Sequence, residues 1–209
     1  MYQSEIWVTG GFRNPYGVHQ AVWRLFPGSA DTRRDFLYRL EARDAAGRVR
    51  LLVQSLRRPQ SGPLAQVAKL ETLALSEASK AGRRRFVLVA NPVRTHSRRA
   101  AGHRHGARRP LTEPEARERW FARKVAGAAE VVTLRSQVLP PIRFRKPRED
   151  FRRGCIQPVL FEGVVAVTDA ARFADLLCNG IGPAKGFGCG LLTVTPAPAV
   201  AVENLPRGA

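Results

Sequence analysis

Acidic side chains are scarce in this chain. Against 35 Lys and Arg it carries only 17 Asp and Glu, so its 209 residues hold a formal charge of +18 at neutral pH. Self-repulsion of that size disfavours a compact state, and a polyanionic partner is the simplest way to relieve it. Lysine is scarce too, since 30 of the 35 cations are arginine. The planar guanidinium suits bidentate contact with phosphate and stacking on bases. A coding bias toward arginine accounts for part of that ratio and for none of the net charge.

Other shortages narrow the class. Cys155, Cys178 and Cys189 are odd in number and lack CxxC spacing. They exclude a disulfide framework and a zinc site, and read as reduced thiols of a cytoplasmic protein. No apolar run approaches the roughly 18 residues of a membrane span, and Met1-Tyr-Gln-Ser-Glu5 does not read as a signal peptide. No carboxylate cluster suits Mg²⁺, so no cofactor is expected. His96, His103 and His105 lie among arginines that oppose a bound metal ion.

What is present suffices for a core, with 44% hydrophobic residues. Tyr2, Ser4, Ile6 and Val8 alternate with their neighbours as a first strand. Asn14-Pro15 opens a helix with Asn as N-cap, Val18, Val22 and Leu25 supply its apolar stripe, and Pro27-Gly28 stops it. Phe36, Tyr38 and Leu40 alternate in a second strand, and Val49, Leu51 and Val53 in a third. Residues 63–81 fit a helix, a strand or both. A fresh strand follows at 86–90. Thr112-Glu-Pro-Glu115 reads as a capping box for a helix to about Gly127, and 131–138 and 156–167 are strand-like. Asp169 caps a short helix ending near Cys178, and a last strand covers 191–195. The second half is β-α-β-β-α-β, so two such units in tandem give an α+β, ferredoxin-like architecture. The expected division is 1–82, 83–195 and a disordered Pro/Ala-rich tail at 196–209.

Three segments are candidates for nucleic acid. Gly180-Ile-Gly-Pro-Ala-Lys-Gly-Phe-Gly-Cys-Gly190 places five glycines around one lysine. Backbone N–H groups of Gly180, Gly182, Gly186 and Gly188 could approach a phosphate closely, with Lys185 as a mobile charge. The spacing matches neither GxGxxG nor a P-loop, which favours a polymer backbone over a mononucleotide. Insertion 93–110, with Arg94, Arg98 and Arg99, has no acidic residue and too few large side chains to pack. Insertion 140–154 interleaves Arg143, Arg145, Lys146 and Arg148 with Phe144 and Phe151, a pattern that suits a β-ribbon in a nucleic-acid groove. The competing reading of each insertion is a solvated loop.

One histidine sits in an ordered element. His19 lies near the start of the first helix with Tyr16 three residues earlier, so both project near its N-terminus. That terminus attracts anions. A histidine and a tyrosine beside a bound phosphate are what metal-free RNA cleavage needs, one group taking the proton of a ribose 2′-OH and another serving the leaving 5′-oxygen.

Asn14-Pro-Tyr-x-x-His19 with Trp23-x-x-Phe26, then Arg34-Asp-Phe-Leu-Tyr38, resembles the start of CasE-type CRISPR repeat endoribonucleases of type I-E systems. Phe86-x-Leu-x-Ala-Asn-Pro92, Leu160-Phe-Glu-Gly163 and the loop from Gly180 to Leu191 are similar to that family's other marks, in the same order. The resemblance implies tandem ferredoxin-like domains and metal-independent cleavage 3′ of a repeat hairpin. It also implies retention of the guide RNA among the other subunits of a type I-E Cascade complex. It puts the catalytic histidine on His19, a nearby tyrosine on Tyr16 and a further basic residue on Arg24. The alternative class is a non-catalytic binder of structured RNA with ferredoxin-like domains. The chain shows no RNP-type aromatic motif, which weakens simple sheet binding of single strands.

Overall fold

The computed structural model describes residues 1–9, 14–28, 34–95, 108–145 and 153–197. Its first half runs β1 (Tyr2–Val8), α1 (Pro15–Trp23), β2 (Phe36–Arg43), β3 (Val49–Ser55), β4 (Ala65–Thr72) and a short α2 (Leu75–Ser79). The second half runs β5 (Gly82–Ala90), β6 (Val93–Thr95), β7 (Arg108–Pro110), α3 (Pro114–Val125), β8 (Ala129–Val138), β9 (Ile142–Arg145), β10 (Arg153–Ile156), β11 (Val159–Val167), α4 (Ala170–Asn179), a 3₁₀ turn (Lys185–Phe187) and β12 (Leu192–Pro196). Two antiparallel four-stranded sheets result, ordered β2-β3-β1-β4 and β12-β5-β11-β8. Each unit puts its first strand between its third and its fourth, the arrangement of the tandem ferredoxin-like architecture expected from the sequence.

Each sheet is covered by the apolar stripe of its helices. On the first, Ile6, Val8, Val49, Leu51 and Val53 meet Val18, Val22, Leu25 and Phe26. On the second, Phe86, Leu88, Phe161 and Val165 meet Trp120, Phe121, Phe173 and Leu177. Full burial of each such side chain contributes about 1.5–3 kcal/mol.

The first unit departs from the motif in one respect. β3 and β4 both run antiparallel to β1 on either side of it, so the chain must return a strand's length between them. In the second unit α4 makes that return. Residues 56–64 make it without a helix. A helix of that length would advance only about 13 Å, while an extended segment reaches about 30 Å, and Pro59 and Pro63 break any helical run. Segment 63–81 resolves into β4 followed by α2, whose Leu75 and Ala78 pack on the second core.

The helix starts are of two kinds. Asn14 caps α1 as expected, its Oδ1 accepting from the Tyr16 N–H at 3.3 Å, with Pro15 at the first position. Asp169 caps α4 by accepting from the Arg172 N–H at 2.9 Å. The expected capping box at α3 does not form. The cap position falls on Glu113, one residue past Thr112, so the box spacing is lost and Glu113 makes no side-chain bond to the helix. Thr112 instead donates to the Glu113 carboxylate at 3.3 Å. The single strand read at 156–167 is two, interrupted at Pro158, which has no N–H to give the ladder. Both insertions begin and end as ribbons, β6 with β7 and β9 with β10. Of the tail, 198–209 lies outside the described residues. Within them no helix is long and apolar enough to cross a membrane, and all three cysteines are free.

Gly163 sits in the middle of β11, just before the register shift against β8 between Val164 and Val165. A Cβ there would lie 2.0 Å from the Thr133 carbonyl oxygen. Backbone cannot yield as a flexible side chain does, so Gly163→Ala is expected to destabilise the protein by about 2–3 kcal/mol, as overpacking does. Urea unfolding of the variant against the parent measures it.

Candidate active site

The capped helix α1 turns Val18, Ala21 and Val22 into the first core and leaves Tyr16, His19 and Trp23 on its half-buried side. Their spacing stacks them along one face. The Tyr16 and His19 rings are 5.7 Å apart, and Trp23 meets His19 edge-on at 6.3 Å. No acidic residue stands in the first turn, so nothing there offsets the partial positive charge of the helix N-terminus.

The glycine loop of the second unit closes over this face. Gly186 lies so near that a Cβ would be 3.2 Å from His19 Nδ1 and Cε1 and from Arg34 Nη2. The next residue, Phe187, lies nearly parallel to the His19 ring at 6.4 Å. The Tyr38 hydroxyl of β2 donates to the Gly186 carbonyl at 2.5 Å and fixes the loop at this height. At its start, Gly180 turns with φ 70°, and a Cβ there would meet the Gly190 carbonyl at 2.7 Å and Leu37 at 2.8 Å. The glycines therefore serve first to fold the loop tightly onto β2 and α1.

The β9-β10 ribbon supplies the third wall. Ile142 and Phe144 turn inward while Arg143 and Arg145 are exposed, the alternation of a strand with one covered face. Phe144 packs on Phe187 at 4.1 Å. Gly154, opposite it, makes room, since a Cβ there would overlap the Phe144 ring. The helix cap itself ties the ribbon down: Asn14 Nδ2 donates to the Arg145 carbonyl at 2.9 Å and its Oδ1 accepts from the Arg145 N–H at 3.4 Å.

Enclosure sets the charge states. Burial first, and the Arg34 guanidinium second, pull the His19 pKa down to about 4. The imidazole is therefore neutral at pH 7 and able to accept a proton. Its Nδ1 is buried without a hydrogen-bond partner among the described residues. Burial also holds the Tyr38 phenol well above its ordinary range, so it remains a donor to Gly186. Lys185 is pulled down by burial and by the cations Arg34 and Lys124. It lines a cavity of about 400 Å³ with Arg34, Phe36, Leu37, Cys178 and Asn179. Among the described residues no group of three or more His, Cys, Asp or Glu is placed to hold a metal.

The structure thus brings together His19, Tyr16, Gly186 and Lys185. Gly180, Gly182 and Lys185 also line a second cavity of about 650 Å³ beside Arg108 and Lys124. Gly188 lies beside the Tyr38 ring. Arg24 is exposed at the C-cap of α1, turned about 140° round the helix from His19. Arg94 is exposed on β6 opposite Arg109. Arg98, Arg99, Lys146 and Arg148 lie outside the described residues, as do His96, His103, His105 and Phe151. Sequence reasoning missed Arg34, Tyr38 and Phe187 as parts of the site. Arg34 and Tyr38 bound one motif of the resemblance, and that grouping was the only signal available for them.

Comparison with known proteins places this geometry. The family model described as CRISPR associated protein matches residues 7–196. The Cascade subunit CasE of Escherichia coli K12 is 35% identical over 202 residues, covering 94% of this chain and all of CasE. The crystal structure of Cas6e from E. coli K-12 superposes with a TM-score of 0.79 at 32% identity, over 94% of this chain and 100% of that one. The CRISPR-associated endoribonuclease Cse3 of Thermus thermophilus is 31% identical over 199 residues, covering 88% of this chain and 90% of Cse3. A structure of T. thermophilus Cse3 bound to an RNA representing a pre-cleavage complex superposes with a TM-score of 0.70 at 26% identity, over 94% and 100% of the two chains. With nearly every residue aligned in sequence and in fold, this chain belongs to the CasE/Cse3 (Cas6e) family of type I-E CRISPR endoribonucleases.

Proposed function

We propose that this protein cleaves CRISPR precursor RNA at the repeat hairpin without a metal ion and stays on the processed guide RNA within a type I-E Cascade complex in the cytoplasm. The observation that carries the reading is a neutral His19 enclosed beside the Arg34 guanidinium, against Gly186. A base next to fixed positive charge is what an in-line attack on a phosphodiester needs. The relatives support it: Cse3 is an endoribonuclease and is seen with RNA, and CasE is a Cascade subunit.

In this reading residues 1–82 supply the base and 83–195 the walls and the RNA grip. His19 takes the proton of the ribose 2′-OH. The freed 2′-oxygen attacks phosphorus, the bond to the 5′-oxygen breaks, and that oxygen is protonated as it leaves. The products are a 2′,3′-cyclic phosphate and a 5′-hydroxyl, with no net change in protons. Tyr16, near the positive end of α1, orients the phosphate or serves the leaving oxygen. Arg143 and Arg145 on the exposed face of β9, with Lys146, Arg148, Arg94, Arg98, Arg99 and Arg24, contact RNA phosphates. Lys185 and the N–H groups of Gly182, Gly186 and Gly188 hold the backbone at the cut, whereas the Gly180 N–H, expected to join them, is taken by the Leu176 carbonyl at 2.9 Å.

His19→Ala is expected to slow single-turnover cleavage of a repeat hairpin by roughly 10²–10⁴ while leaving affinity within a few-fold, the usual weight of a general acid–base group. Cleavage should persist in EDTA, and a substrate with 2′-deoxyribose at the cut should bind and stay whole. A wild-type protein that binds the hairpin and never cuts it would establish the non-catalytic class instead.

The lowered pKa of His19 has a thermodynamic counterpart. A free histidine takes up its proton near pH 6.5, while the folded site resists it down to about 4. The unfolded chain therefore binds more protons in that window, and folding stability should fall as pH drops from 6.5 toward 4. Denaturant unfolding at pH 7 and pH 5, on wild type and His19→Ala, should show a smaller loss in the variant.

Phosphate contacts appear in salt dependence more than in sequence preference. Replacing Arg143, Arg145 and Lys146 together should weaken hairpin binding at physiological salt far more than at low salt. It should also flatten the slope of log K against log[salt] by about 1 for each phosphate released from a cation. Filter binding at several salt concentrations measures this. An unchanged slope would hand the grip to insertion 93–110.

A further inference from the structure

Arg34 is held in an unusual way. Its guanidinium carbon lies 5.8 Å from the Trp23 ring centroid and 5.7 Å from that of Phe36, within cation–π range of both. Its Nε is buried and has no hydrogen-bond partner among the described residues. The adjacent acid does not serve it. Arg57 takes both oxygens of Asp35, Nε to Oδ2 at 2.5 Å and Nη2 to Oδ1 at 2.9 Å. The neighbouring carboxylate is thus diverted, and among the described residues a half-buried cation is left without an anion.

Two further observations say where that anion belongs. Arg34 Nη2 and His19 Nδ1 each lie 3.2 Å from the same point, the place a Cβ on Gly186 would fill. Arg34 also shares its cavity of about 400 Å³ with Lys185, and burial and this like charge together disfavour the charged lysine. Two cations in one cleft repel unless a negative group lies between them. A phosphate is small enough for the cavity, and a guanidinium matches its oxygens as a planar fork.

We propose that Arg34 is a catalytic residue, binding a non-bridging oxygen of the scissile phosphate and stabilising the charge that builds up in the five-coordinate transition state. The proposal rests on the nuclease reading above. Arginine stays protonated throughout, so its part is electrostatic and His19 keeps the proton transfer. Arg24, exposed and turned away from His19, cannot substitute for it.

The test uses the full chain and the repeat hairpin transcribed from the host's own CRISPR array, in EDTA. Wild type, His19→Ala, Arg34→Gln and Arg34→Lys are compared for single-turnover rate and for affinity toward the 2′-deoxy hairpin. The substrate is also made with a single phosphorothioate at the cut, in each diastereomer. Arg34→Gln should lose about 10²–10³ in rate, as removal of one oxyanion donor does, with affinity within about three-fold. Arg34→Lys should fall between wild type and Arg34→Gln. Wild type should be slowed unequally by the two diastereomers, and that inequality should shrink in both Arg34 variants, an effect a merely structural arginine would not produce. Should Arg34→Gln unfold, Arg34→Lys carries the same comparison. A variant that cuts within about three-fold of wild type, or keeps the full diastereomer preference, overturns the role of Arg34 while His19→Ala remains inactive. If wild type fails to cut, or His19→Ala cuts normally, the nuclease reading falls and this proposal with it.

Discussion

The site depends on one close approach. A loop from the second unit lies so close against the first helix that a Cβ on its Gly186 would sit 3.2 Å from His19 and from Arg34. The Tyr38 hydroxyl pins the loop there from below, and Phe187 and Phe144 cover it from outside. Were the loop set back by the width of a methyl group, His19 would regain water. Its pKa would then rise toward the ordinary histidine value of about 6.5.

Much of this was legible in the sequence and some was not. Period-two alternation located β1, β2 and β3 because each has one face on a core and one on water. Asn14 and Asp169 were readable because a cap is a local event, settled by the residue and the N–H groups next to it. Segment 63–81 was not readable. Whether β3 returns through a helix or an extended crossover depends on the distance to be covered, which no window of sequence contains. The site shows the same division. His19 and Tyr16 share a helix and were found together. Arg34, Tyr38 and Phe187 reach them only through tertiary packing, and their spacing in the chain carries no sign of it. The basic and aromatic alternation of β9 was visible, but its aromatic half proves to face the protein and only its arginines are exposed.

Charge is distributed with some economy. The chain has few carboxylates, and those near the site are already engaged: Asp35 by Arg57, and Glu41 by Arg39, which also reaches across to Thr193 at 3.0 Å. These acids are spent on arginines of the first unit, and one of those, Arg39, bonds the second. The cations of the cleft are thus left uncompensated, at a cost in folding free energy that a bound polyanion would offset.

The two halves of the site are made far apart in time. Helix α1 comes early from the ribosome, whereas the loop that covers His19 is built only after α4 and just before the last strand. Until then the histidine is an ordinary exposed side chain with no wall around it and no lysine beside it. The wall over His19 therefore exists only in a chain made through Gly186, and a chain that stops before Gly186 leaves this helix face open.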